Sequence, residues 1–525
     1  MKRKFAPYDA AIAAALAAVS ALFYRKVTRL WWMYDDAYLL RLLRDVSLPG
    51  TLHNAAFREQ GRPLFNPLLL LSLKLDLLRF GDNARSFYVH QIAAFALLSA
   101  LLYLMFRLWS SPLASAAAVA AFTIAGPTLV VVPELMLRHY VEGAVFATSS
   151  VILYVLAVRR VSWLLALSSA LLYLCAAAAK EVYAPLILIL IVIPEGSLRA
   201  RTRLAIPHAI AAIVYAIWRT WTIGTSVGSF GLLPAEGTRT VAILTIPLRV
   251  ARELAGSGSI AGWIVFIAVV VCVAAVVLKL RGARLVALAG AIAVIAPLIP
   301  VAGDTQPRWA FAAWLLAVVA IAMLPLAFSR VGNVAAVAVL LCAIAASRVE
   351  WPAAYRLFAR MSDEARVLAH LSRDDVLLDP AMPPNAADEV KRMTGSQAKA
   401  YNDVLALCDG QSTARRIFAY DASTRTVKQV PAVSCTSIRK MPLTVRLHYT
   451  STDTLYWDFG PYHDGTYAFI LADGIAYDIP RDGGFRGPGF ERFMFRIRYT
   501  SPAGWKTYSP PLTADASKGP VVFRQ

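Results

Sequence analysis

The sequence predicts a polytopic α-helical membrane protein of about eleven spans, followed by a C-terminal, mostly β, extracytoplasmic domain. Three observations predict it. Of the 525 residues, 58% are hydrophobic, and a mean hydropathy of +0.56 is too high for a soluble chain. The apolar residues lie in runs of about 20, the length that crosses a bilayer as a helix. Beyond Arg348 the runs stop, and charges, turns and alternating stretches take over.

Taken in order, the expected spans are 8–24, 87–109, 113–132, 142–158, 162–179, 182–194, 206–223, 260–278, 284–300, 309–327 and 331–347. Met1-Lys2-Arg3-Lys4 ahead of the first run reads as the start of a retained span, with no small-residue cleavage site. If these cations are cytoplasmic, the same side receives Arg159-Arg160, then Arg199, Arg201 and Arg203, then Lys279, Arg281 and Arg284, then Arg330, as the positive-inside bias requires. The opposite side receives Asp35-Asp36, Glu134 to Glu142, Lys180-Glu181, residues 225–258 and Asp304 to Arg308. An odd number of spans leaves the C-terminal part on that outer side. The chain thus divides into a transmembrane domain, 1–349, with a long first outer loop, 25–86, and an outer β-rich domain, 350–525. The expected location is the inner (plasma) membrane, with the N-terminus cytoplasmic.

Within the first outer loop, Leu68 to Phe80 resembles a span but is short and interrupted by Lys74 and Asp76. It reads as a helix lying in the interface or re-entering the membrane. After Arg348, residues 361–408 read as helical with a short strand at Val376-Leu377-Leu378. Strands are expected at Thr444 to Tyr449, Thr466 to Leu471 and Arg492 to Tyr499, the last alternating large apolar residues with arginine. Cys175, Cys272 and Cys342 fall in apolar spans, whereas Cys408 and Cys435 fall in the outer part, where a disulfide between them is expected.

The net charge of +20 does not imply nucleic acid. The cations sit in loops and the tail, where orientation, anionic head groups and a phosphate-bearing ligand account for them. Arg25, Lys26, Arg29, Arg41, Arg44, Arg58 and Arg62 break the bias on the outer side, as a negatively charged ligand there would explain. No zinc-type Cys/His spacing, P-loop or dinucleotide fingerprint is present.

Two adjacent carboxylates, Asp35 and Asp36, lie between aromatics at a membrane face, where unused charge is costly. Successive helical residues diverge by about 100°, so one carboxylate can act as a base while the other caps or orients. The local alternative is a pair capping a helix from Ala37 to Val46. Arg138-His139 in the second outer loop suits a phosphate or an interfacial anchor equally. Lys180-Glu181, after the small residues Ala176 to Ala179, is either a structural ion pair or places Lys180 against a lipid-linked phosphate. Arg308 beside Trp309 is an interfacial pair or another phosphate contact, and His90 reads as a packed histidine donating to a carbonyl.

In order, these residues resemble the integral-membrane glycosyltransferases of the GT-C superfamily, and most nearly the protein O-mannosyltransferase-like branch that includes the tetratricopeptide-containing O-mannosyltransferases. The resemblance rests on Asp35-Asp36, Arg62-Pro63-Leu64, Tyr88-Val89-His90, Ala179-Lys180-Glu181 with Pro185, and Arg308-Trp309, and covers about residues 10–330. The β-rich C-terminal domain, in place of helical repeats, departs from that branch. The resemblance implies transfer of a sugar from a polyprenyl-phosphate donor to an acceptor hydroxyl on a lipid, glycan or protein at the outer face, most simply with inversion. It implies Asp35, ahead of Asp36, as catalytic base, and Arg138, His139, Lys180 and Arg308, with Arg62, as donor-phosphate ligands. No metal is required, although Asp35 with Asp36 could hold a divalent cation weakly. A lipid-linked glycan transporter or flippase, and an O-antigen-type polymerase or ligase, are the competing expectations.

Overall fold

The computed structural model describes residues 6–53, 65–224, 231–233, 236, 238–256, 259–302, 306–408, 416–430, 435–452, 454–471, 476–486 and 491–525. Among these, six helices are long and apolar enough to cross a membrane: Ala84–Arg107, Leu135–Arg160, Leu198–Ile223, Ile260–Lys279, Arg281–Pro300 and Pro307–Leu368. Shorter apolar helices cover Pro7–Phe23, Pro112–Ile124, Trp163–Ala179 and Glu181–Val192. Every expected span therefore falls on helix, although several are too short to cross unaided. The helix expected over 113–132 stops at Ile124 and resumes only at Thr128, after Gly126 and Pro127. Prolines at the first turn start Pro7–Phe23 and Pro112–Ile124. The hydroxyls of Ser111, Ser162, Ser197 and Ser259 accept backbone N–H groups at helix starts, that of Pro112–Ile124 among them.

The last two expected spans form one long element, Phe311–Leu368, broken at Phe328 and Ser329, where Ser329 takes φ +50°. Glycine makes the bend fit, since a Cβ on Gly332 would lie 2.3 Å from the Leu324 carbonyl oxygen. Beyond the bend the helix continues without interruption to Leu368. The predicted domain boundary at 349/350 therefore lies inside a helix, because a solvated charged face continues the same helical period as the apolar one.

Loops gather at two ends of the bundle. At one end Arg107 pairs with Asp9 (2.6 Å) and Arg159 with Glu195 (2.5 Å), while Trp109 donates to Glu195 (2.6 Å). At the other, Asp36 meets Met136 and Tyr183 donates to the Tyr140 carbonyl (2.6 Å).

The helix Pro67–Phe80 turns Lys74 and Asp76 inward and leaves Arg79 exposed. Lys74 is buried and donates to the carbonyls of Leu43 and Arg44, at the end of helix Asp36–Arg44. Asp76 is buried and pairs with Arg138. Both charges are turned toward the protein, where each finds a partner.

The C-terminal part holds two modules. The first packs a sheet of Lys399–Tyr401, Asp375–Leu378, Arg416–Asp421 and Thr426–Val430, in that order, with helix Pro384–Thr394. Its first three strands are parallel. The second is a β-sandwich. Period-2 positions Val445, Leu447, Leu455, Trp457 and Phe459 on one sheet meet Tyr467, Phe469, Phe495, Ile497 and Tyr499 on the other. Gly231–Leu233, from a loop between helices, adds an edge strand by pairing with Asp482–Arg486. Cys408 and Cys435 are joined in a disulfide, with Cα atoms 5.9 Å apart.

Candidate functional site

The first module sits directly on the first outer loop. Arg41 of helix Asp36–Arg44 pairs with Glu389 (2.8 Å), and Ser362 accepts the Trp31 N–H (2.8 Å). Beneath it, the strip from Trp31 to Tyr38 is packed into protein rather than laid along a bilayer interface. Trp32, Met33 and Tyr38 are buried, Trp32 edge-on to Phe87.

The two carboxylates diverge as helix geometry requires. Asp36 is buried, with Oδ2 accepting the Met33 N–H (3.0 Å) and Oδ1 accepting the Met136 N–H (3.2 Å). It ties the first outer loop to the second. Asp35 occupies the N-cap position but makes no side-chain cap. It is the more exposed of the pair, and the Asn385 amide of helix Pro384–Thr394 donates to it (3.4 Å). Burial pushes the Asp36 carboxyl up to about 7, reinforced by the charge of Asp35 and opposed by the Met33 N–H. With each Asp36 oxygen already accepting a backbone N–H, the two carboxylates do not converge on a cation, and among the described residues no group of three or more His, Cys, Asp or Glu is placed to hold a metal.

A third carboxyl joins them. Glu134 is buried at the mouth of the second outer loop and makes no side-chain hydrogen bond among the described residues. Burial pushes it up to about 8; the Arg308 guanidinium opposes this, and Asp36 and Asp35 add to it. Arg308 is the cation common to the cluster. Its charge also reaches Tyr34, His139 and Tyr140, and it makes no ion pair among the described residues. Its guanidinium lies 5.8 Å from the Trp309 ring centre.

Lys180 lies across the same floor. It pairs with Glu181 (2.8 Å), so the structural ion pair does form, and its ammonium stands 5.6 Å over the Tyr140 ring. Gly143 lets the Tyr183 ring, three residues on from Lys180, pack close, because a Cβ there would fall 2.4 Å from that ring. His139 is buried beside Tyr140, their rings 4.7 Å apart, within reach of the charges of Lys180 and Arg308.

Arg138 differs. It is fully buried, and its guanidinium donates to Asp76 (2.5 Å), Ser72 (3.3 Å) and the Phe87 carbonyl (2.8 Å). Only its Nε is left without a partner, and with the side chain fully buried a phosphate reaches it only if the packing around it opens. Its ion-pair partner Asp76 is also the partner of His90 (2.9 Å), which therefore meets a carboxylate rather than the expected carbonyl. Arg62 lies outside the described residues.

Three site residues escape the sequence reading. Glu134 was legible as an acid beside Pro133 at a span end. Arg219 was legible as an arginine inside an apolar run, a functional signal by default; it is buried 5.9 Å from the Phe65 ring centre, with its charge felt at Glu181. Asn385 carried no signal, since only the docking of the C-terminal module brings it to Asp35. No protein-family model matches the chain, and comparison with curated proteins finds no match.

Proposed function

We propose that the protein is an integral-membrane glycosyltransferase that moves a sugar from a polyprenyl-phosphate donor to an acceptor hydroxyl at the outer face of the inner membrane. The observation that carries this reading is one polar cluster at one end of the helical bundle, which groups a partly exposed carboxylate, Asp35, with Arg308, which makes no ion pair among the described residues, and with Lys180 and His139. The Cys408–Cys435 disulfide supports an oxidising compartment on that side.

In this reading Asp35 accepts the proton of the acceptor hydroxyl as its oxygen bonds to the anomeric carbon. The bond from that carbon to the phosphate oxygen breaks, and the phosphate departs with the electron pair. Arg308 and Lys180 stabilise the charge gained by the leaving phosphate. Attack opposite the leaving group inverts the anomeric centre. Glu134, protonated at neutral pH, adds no negative charge against the donor. Arg138 supports the floor from beneath as a positioning residue. Neither a transporter nor a polymerase is favoured by any particular contact, and the commitment of Arg138 to Asp76 weakens a mechanism built on Arg138 and His139.

The test uses purified protein and a panel of polyprenyl-phosphate sugars, reading release of polyprenyl phosphate. Asp35→Asn is expected to lower turnover by about 10²-fold or more, the usual worth of a general base, with an unchanged thermal midpoint. Full activity in that variant removes the assignment.

A further inference from the structure

A second polar site lies in the seam between the two C-terminal modules. The alternation Arg492 to Tyr499 turns Phe495, Ile497 and Tyr499 into the sandwich core and Arg498 to the opposite face. An arginine on that face would ordinarily be solvated. Arg498 is instead buried, because the first module covers it, and it donates to Asp403 (2.8 Å) from that module and to Asp478 (2.9 Å) from the sandwich. Asn402 stitches the seam further, donating to the Ala476 carbonyl (2.5 Å) and accepting its N–H (2.7 Å).

The seam is nonetheless not closed. A cavity of about 550 Å³ remains, lined by Asp379, Asn402, Asp478, Arg498, Thr500 and Lys506 on its polar walls. That is the size of small-molecule sites, roughly 300–1,000 Å³. Neither the Asp379 carboxylate nor the Lys506 ammonium makes an ion pair among the described residues, while Arg498 is already neutralised. The remaining wall, Pro380 to Pro383, is apolar.

One wall is also held in a costly shape. Asp379 takes φ +50°, a conformation most side chains avoid. It is fixed there by its N–H to the Tyr401 carbonyl (2.7 Å) and by Arg360, which donates to its carbonyl (2.8 Å). Glu364, paired with Arg360 (2.7 Å), accepts the Ala381 N–H (2.6 Å). Arg360 and Glu364 belong to the helix that rises from the last apolar segment. Six residues on from Asp379, Asn385 donates to Asp35.

We infer that this seam is a binding site for a neutral oligosaccharide, and that it holds the acceptor chain whose end reaches Asp35. The walls combine one free anion, one free cation and amide and hydroxyl groups, which suits ligand hydroxyls that both donate and accept. A site for a phosphate or polyanion would not present two carboxylates. The apolar strip suits the C–H face of a sugar ring. The acceptor role rests on the glycosyltransferase reading; the binding does not.

The experiment measures calorimetric binding of maltohexaose, chitohexaose and xylohexaose to the full-length protein in a detergent without a sugar head group, with hexametaphosphate as the anionic comparator. At least one hexasaccharide is expected to bind saturably. Asp379→Asn, which keeps a residue tolerant of the left-handed conformation, and Lys506→Met are each expected to weaken it at least tenfold, with unchanged thermal midpoints. Failure of all three sugars, binding insensitive to both substitutions, or binding of hexametaphosphate alone overturns the inference. Sugar binding that responds to both substitutions in a protein without transferase activity upholds the site and refutes the transfer reading alone.

Discussion

Replacing Asp36 with asparagine separates the architectural carboxylate from the chemical one, and its signature is a change in how stability depends on pH. Burial raises the Asp36 carboxyl from 3.8 to about 7. Between those values the folded protein keeps a proton that the unfolded chain has lost, so stability falls as pH rises through that window. The fall is complete above pH 7 and amounts to about 4 kcal/mol at about 1.4 kcal/mol per pH unit. Asparagine has the shape of the neutral carboxyl and no charge to desolvate, so the variant escapes this fall. It does lose one acceptor, since its amide N–H₂ must face the N–H of Met33 or Met136, at a cost of about 1–3 kcal/mol at every pH. The two stability curves therefore cross between about pH 4.5 and 6, and the variant is the more stable at pH 8. Unfolding entropy of roughly 2 cal/mol/K per residue makes 4 kcal/mol worth about 4 °C in a chain of this length. Glu134, raised to about 8, leaves a residual slope of the same sign in both proteins. Thermal midpoints by intrinsic fluorescence in detergent, from pH 4.5 to 8.5, check this. Parallel curves for parent and variant would refute the placement of Asp36 as a buried, proton-holding tie between the two loops.

Arg308→Ala is expected to raise the KM for the lipid-phosphate donor by about 10- to 100-fold, the worth of one charge-assisted contact of about 1.5–3 kcal/mol; an unchanged KM would show that the donor phosphate does not sit against Arg308. Arg138→Lys is expected to lower the thermal midpoint and the yield of folded protein, because lysine cannot serve Asp76 and the Phe87 carbonyl in the same fork, and a loss confined to donor affinity in a fully stable protein would contradict this. Gly143→Val is expected to displace Tyr183 and the Lys180 turn and to impair transfer and stability together, read by activity and thermal midpoint on one preparation. Cys408→Ser is expected to destabilise the C-terminal part by about 3 kcal/mol for a bridge spanning 27 residues, detected as earlier proteolysis there.

The positions of the apolar helices, the two-sided distribution of loops and the strand alternation of the last hundred residues were legible in the chain because each is a local period in hydrophobicity or charge. The cluster of Asp35, Lys180 and Arg308 was legible only as an expected shared face. What each charge does was not legible. Arg138 and Arg308 look alike as sequence, a cation beside an aromatic or a histidine at a membrane mouth. Only the approach of helix Pro67–Phe80, bringing Asp76, commits the first and leaves the second open. Likewise nothing local tells Asp35 from Asp36; the Met136 N–H, one hundred residues away, decides which is held and which is offered. Sequence by itself determined where the chain is apolar and where it turns, since these depend on neighbours along the backbone. Tertiary structure alone decided which charges are partnered and that Asn385 meets Asp35, because burial and pairing depend on groups that come together only when distant segments pack.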